Sequence, residues 1–97
     1  MKSRFHEAAD AELTEAILYY DGKAPGLGDR LLADVKAATR GIELYPESAP
    51  EVDLGVRRKV LARFPYSLLY VVAPSELFIV AVAHHSRRPG YWANRLG

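Results

Sequence analysis

"VRRKVLARFPYSLLYVVAPSELFIVAVAHH" (residues 56–85) decides the fold. Its first part alternates: Arg57, Lys59, Leu61 and Arg63 occupy one set of positions, and Arg58, Val60, Ala62 and Phe64 the other. A period of two is the signature of a strand, and it predicts that the first set shares one sheet face. "YSLLYVV" (66–72) and "LFIVAVAHH" (77–85) are rich in β-branched and aromatic residues, which suit a pleated sheet. "APSE" (73–76) between them has the composition of a tight turn. Three consecutive strands joined this closely form an antiparallel meander.

Upstream the period changes. Ala9, Leu13, Ala16, Ile17 and Tyr20 recur at helical spacing, and Glu7, Asp10 and Glu12 crowd the start, where acids complement the positive helix end. "DGKAPGLGD" (21–29) interrupts with three glycines and a proline. Leu27, Leu31, Val35, Ala38, Ile42 and Tyr45 then form a second apolar stripe. So short a connection predicts an antiparallel helical hairpin. Pro46 and Pro50 end the second helix, and residues 2–6 read as a short first strand. The order is β-α-α-β-β-β, with "PGYWANRLG" (89–97) as a terminal helical turn. Helices first and strands after is the α+β class, with the hairpin packed on a small antiparallel sheet. The opposite sheet face is expected to be free, with the basic side chains on it.

The chain has 97 residues, one domain's worth, and its 49% hydrophobic and 26% charged content is that of a globular protein. With no cysteine there is neither a disulfide framework nor a thiolate metal site. The charged start lacks an apolar signal segment, so a cytoplasmic location is expected. The net charge of +1 hides an asymmetry: residues 1–54 carry 6 Lys/Arg against 11 Asp/Glu, and residues 55–97 carry 7 against 1. The basic half suggests a polyanionic partner or acidic protein surface. His84 and His85 are adjacent on a strand and diverge, with no Asp, Glu or Cys nearby, so no metal or cofactor is expected.

"AELTEAILYYD", "PGLGDRLLADVKAA", "RRKVLARFPYSLLYVV" and "VAVAHHSRRPGYWANR" together resemble the RelE/ParE superfamily, the toxins of type II toxin–antitoxin systems, often called plasmid stabilisation proteins. The resemblance runs from Phe5 to Arg95 and is most specific in "FPYSLLY" and "AHHSRRPGYW". It implies the same α+β fold, and a toxin held inactive by a cognate antitoxin in a hetero-oligomer. RelE-like members cut messenger RNA on the ribosome; ParE-like members trap DNA gyrase on cleaved DNA.

Metal-free RNA cleavage needs a base for the 2′-hydroxyl, positive charge at the phosphate and an acid for the leaving oxygen. His85, Arg87 and Tyr91 are the catalytic residues that a RelE-like reading implies. Against it, Ser67 stands where RelE-like sequences carry an arginine, and His85 aligns with the other arginine. Gyrase inhibition requires only a contact surface, so the resemblance favours the ParE-like branch. A non-toxic member kept for antitoxin binding is a third reading. The expected target-binding residues are Arg57, Lys59, Arg63, Arg87, Arg88, Tyr91 and Trp92, since Arg, Tyr and Trp dominate binding hot spots. Trp92 has a second role open to it, folding back as a lid on the core. The helical stripes supply Leu13, Ile17, Tyr20, Leu31 and Val35 as expected antitoxin contacts, for an acidic amphipathic peptide laid on the hairpin or added to a sheet edge.

Overall fold

The computed structural model describes the whole chain, Met1–Gly97. Strand β1 (Lys2–Phe5) leads into α1 (Glu7–Lys23) and α2 (Leu27–Leu44), and the strands β2 (Glu51–Asp53), β3 (Val56–Val60), β4 (Tyr66–Val72) and β5 (Glu76–His84) follow. A 3₁₀ turn, Ala93–Arg95, ends the chain. The sheet order is β1-β5-β4-β3-β2, with β1 parallel to β5 and every other pair antiparallel. Neither helix is long and apolar enough to cross a membrane.

Helix α1 starts at His6, whose Nδ1 accepts the Ala8 N–H at 2.9 Å in place of an intrahelical partner. The turn into α2 depends on Gly26, with φ of 82°, and on Gly28. Gly28 donates its N–H to Asp21 Oδ1 at 2.8 Å, and a Cβ there would lie 2.6 Å from the Ile17 carbonyl oxygen. The hairpin can therefore close only around a residue without a side chain. Its inner stripe (Ala9, Leu13, Ala16, Leu31, Val35, Ala38 and Ile42) packs on Leu68, Tyr70, Leu77, Ile79 and Val82 of the sheet to form the main core. Leu13, Leu31 and Val35 are buried there, and Ile17 and Tyr20 are half-buried against the same core. Tyr20 meets Phe64 edge-on at 5.0 Å. The expected antitoxin stripe is thus spent on the sheet: burying these side chains is what holds the hairpin down. The large apolar residues the hairpin leaves exposed are Leu18 and Tyr19 on α1 and Leu44 at the end of α2.

Two segments depart most from the sequence expectation, the other strand ends shifting by a single residue. Strand β3 stops at Val60 instead of Phe64, because Pro65 cannot extend a ladder and Leu61 turns into the core, donating its N–H to Tyr66 O at 3.0 Å. The segment after α2, expected as a connection, contains the edge strand β2. It is joined to β3 through Leu54 and Gly55, both with positive φ (53° and 76°), the conformation of a two-residue hairpin.

A bulge in β5 shapes the opposite face. Leu69 pairs with Ala81 but Tyr70 with Ile79, so Val80 is an inserted residue. Val80 and Ala81 both join a second apolar cluster with Val56, Leu69 and Ala83, roofed by Trp92, while Val82 returns to the main core. The face expected to be free is therefore partly covered. Trp92 is 4% exposed, which makes it the lid of this second core.

Candidate functional site

The bulge decides where the histidines go. With unbroken alternation from Leu77, His85 would face the helices. The extra residue sends His84 to that side instead, where it meets Tyr66 edge-on at 5.0 Å. His85 lies on the other face, with Nε2 3.1 Å from the Ser67 hydroxyl. Ser67 Oγ also accepts from Arg58 Nε at 3.2 Å. Ser67 is buried, so Arg58, Ser67 and His85 form the polar floor of a cleft in an otherwise apolar sheet face.

That cleft has a volume of about 390 Å³. Strands β2 to β5 make its floor and the C-terminal segment its wall, including Arg87, Arg88, Pro89, Tyr91 and Trp92. Arg58, Arg87 and Arg88 line it, with Asp53 as the one acid.

The wall is anchored by a carboxylate on α1. Glu12 receives the Tyr91 hydroxyl at 2.7 Å, both terminal nitrogens of Arg95 at 2.9 and 3.0 Å, and the Val82 N–H at 3.0 Å. Arg95 also donates to the Val80 carbonyl at 3.1 Å. Strand β1 ends at Phe5, so beyond Ile79 β5 is paired only with β4, and Glu12 and Arg95 satisfy backbone groups left on its open edge. Burial pushes the Glu12 carboxyl up, but hydrogen bonds from Arg95, Tyr91 and the Val82 N–H outweigh it and hold the group below its ordinary value. Burial, then the hydrogen bond and charge of Glu12, push the Tyr91 phenol well above the usual range. Tyr91 also carries the Arg87 guanidinium over its ring at 3.8 Å and that of Arg95 at 5.1 Å.

Of the catalytic residues the sequence suggested, His85, Arg87 and Tyr91 all line this one cleft, but the Tyr91 hydroxyl is spent on Glu12. The expected target-binding set divides. Arg87 and Arg88 are exposed on the wall; Tyr91 is half-buried and Trp92 is buried beneath them. Arg57 pairs with Tyr70 on the helix side and donates to the Glu47 and Ala49 carbonyls at 3.1 and 2.7 Å, tying down the loop after α2. Lys59 pairs with Leu68 on that same side. Arg63 lies in the turn after β3, its N–H donating to Asp34. The basic row was thus assigned to the wrong face, since its neighbour Leu61 belongs to the core. Arg58, set aside in the sequence reading, is the β3 arginine in the cleft. The burial of Leu61 and the exposure of Val60 (50%) together fix that orientation.

The description "ParE toxin of type II toxin-antitoxin system, parDE" matches residues 4–89. The chain belongs to this family. It is accordingly a toxin of the type II class, which implies an antitoxin partner. A solved structure described as the "Chromosomal ParDE TA system from P. aeruginosa" has the same fold, with a TM-score of 0.76 and 22% identity over 87% of this chain and 95% of that one. No curated protein sequence is similar enough to match.

Proposed function

We propose that this chain is a cytoplasmic toxin that inhibits DNA gyrase by docking its C-terminal segment, and that a cognate antitoxin neutralises it. Family membership supports the class of activity. The observation that carries the choice of target is the Tyr91 hydroxyl held by Glu12. RNA cleavage would need a free acid opposite the base. Tyr91 instead gives its proton's hydrogen bond to a carboxylate, and its phenol is pushed away from any proton exchange near neutral pH. Docking needs no such exchange. It asks for a rigid, solvent-facing basic ridge, and Arg87 and Arg88 on a segment anchored by Trp92 and Glu12 supply one.

The ribonuclease reading has one observation in its favour: a histidine and an arginine meeting on Ser67 at the cleft floor. Both readings are tested with the antitoxin-free protein. Linear DNA accumulating from supercoiled plasmid in the presence of gyrase is expected. Codon-positioned cuts in messenger RNA in a translation reaction, without linear DNA, would overturn the proposal. Neither product from folded protein would leave the non-toxic reading.

A further inference from the structure

Ser67 is 2% exposed and lies between Val60 of β3 and Ala83 of β5, its cross-strand partners. Its hydroxyl bonds to two side chains and no backbone group: Arg58 Nε at 3.2 Å and His85 Nε2 at 3.1 Å. A guanidinium only donates, so Arg58 occupies one lone pair of the Ser67 oxygen. The hydroxyl hydrogen then has a single acceptor in the fold, His85 Nε2, which places the imidazole hydrogen on Nδ1. That is the arrangement of a nucleophile beside its base.

The surroundings add what acyl transfer needs besides. His85 is exposed and its ring has no other hydrogen-bond partner, so Nε2 is free to take a proton and return it. Arg58 spends only its Nε, and its two terminal nitrogens remain beside the Ser67 oxygen as donors for charge developing on an attached carbonyl. Positive charge at that distance also favours the alkoxide over the hydroxyl. Ser67 lines the cleft of about 390 Å³, a volume that suits a small molecule. Beside three arginines the lining holds Asp53, His84 and His85. Arg88 forms no ion pair, so the cleft keeps a guanidinium for an anionic group on the substrate.

We infer that Ser67 and His85 are the nucleophile and base of an acyl-transfer site for small carboxylic esters that carry an anionic group. Ser67 Oγ forms a bond to the carbonyl carbon as His85 Nε2 takes the hydroxyl proton, and Arg58 receives the oxyanion. The carbon–oxygen bond to the leaving alcohol then breaks, with the proton returned to it from His85. Water, activated by the same imidazole, cleaves the acyl-serine, releasing the acid and restoring the Ser67 hydroxyl. Arg88 holds the anionic end of the substrate. The inference does not depend on gyrase being the target, and the assay contains no gyrase, so the two readings fail separately.

The test treats the full chain with an alkyl fluorophosphonate and locates the adduct by peptide mass spectrometry. That reaction forms the Ser67 Oγ–P bond, breaks P–F and passes the hydroxyl proton to His85, so it reports the nucleophile without the natural ester. Buried Ser67 should be labelled, and the exposed Ser48, Ser75 and Ser86 should not. Ser67→Ala should abolish labelling, and His85→Gln should slow it at least about a hundredfold. His85 is exposed, so its replacement leaves the core intact, and unchanged Trp92 emission checks the fold of both variants. Among esters, mono-para-nitrophenyl terephthalate, whose rigid carboxylate cannot reach its own ester, should be cleaved about tenfold faster than para-nitrophenyl benzoate. Arg88→Gln should remove that preference. No adduct, an adduct on an exposed serine, equal labelling of the urea-unfolded chain, or native labelling rates in His85→Gln would overturn the nucleophile and base. Equal cleavage of the two esters would overturn the anionic substrate.

Discussion

Replacing Glu12 by glutamine keeps the size of the side chain and removes the charge that holds the C-terminal segment. In the native chain the carboxylate accepts four hydrogen bonds, three of them from Tyr91 and Arg95, with the Glu12 and Arg95 side chains 15% and 14% exposed. At that degree of burial, removing one member of an ion pair costs several kcal/mol when the other is left unpaired. Glutamine still offers one acceptor oxygen, so about 2 kcal/mol is a reasonable figure for Glu12→Gln. If that loss falls on segment docking, the undocked population rises about thirtyfold. Trypsin reads this directly, because the bonds after Arg87 and Arg95 lie in the segment, while the bond after Arg88 precedes Pro89 and resists cleavage. Where reclosing is faster than cleavage, the cutting rate follows the open population. Tyr91→Phe removes the hydroxyl bond alone, worth about 1 kcal/mol, and should raise the rate about fivefold. Trp92 is the chain's single tryptophan and is buried in the segment, so its emission should shift to the red in step with proteolysis. Cutting rates within about twofold of the native chain in Glu12→Gln would refute the clamp as the anchor of the wall.

Four further outcomes follow from the same geometry. Because Glu12 is held below its ordinary 4.5, the folded chain binds fewer protons there than the unfolded one. Its stabilisation is full above that value and is lost as pH falls through the lower folded value, so a Trp92 emission titration should show undocking below pH 4.5 that Glu12→Gln lacks. Trp92→Ala empties the roof of the second core and should cost about 3–5 kcal/mol in urea unfolding. Gly28→Ala places a Cβ 2.6 Å from Ile17 O and 2.7 Å from Asp21 Oδ1. Forcing the helices apart should lower stability by about 1–3 kcal/mol, seen as a lower Tm. Tyr70→Phe removes the bond from a fully buried hydroxyl to the Pro46 carbonyl at 2.6 Å; a loss of about 1–2 kcal/mol is expected by calorimetry.

The helices and the meander were legible because each announces itself over many residues. Two apolar stripes at helical spacing, then alternation from Val56 onward, leave little else for the chain to be. The site was less legible because it depends on single residues that break those periods. Val80 is one more apolar residue in an apolar strand, yet its insertion sends His85 to the cleft and His84 to the helix side. Arg57 and Arg58 are adjacent and identical, so only the depth of their neighbours distinguishes their faces: Leu61 buried, Val60 half exposed. Ser67, read as a missing arginine, is the buried hydroxyl on which Arg58 and His85 converge. Glu12 looked like a first-turn acid complementing a helix dipole. Its partners Tyr91 and Arg95 lie 79 and 83 residues away, a separation that no local pattern encodes.

In the proposed function, Arg87 and Arg88 form the contact surface for gyrase. The most direct measurement compares the antitoxin-free chain with the Arg87→Ala/Arg88→Ala double variant in a gyrase cleavage assay on supercoiled plasmid. Matched Trp92 emission would show the C-terminal segment docked in both. Linear DNA from the native chain and its loss in the variant is the predicted result. Linear DNA from both would move the contact elsewhere on the surface, and none from either would contradict gyrase as the target.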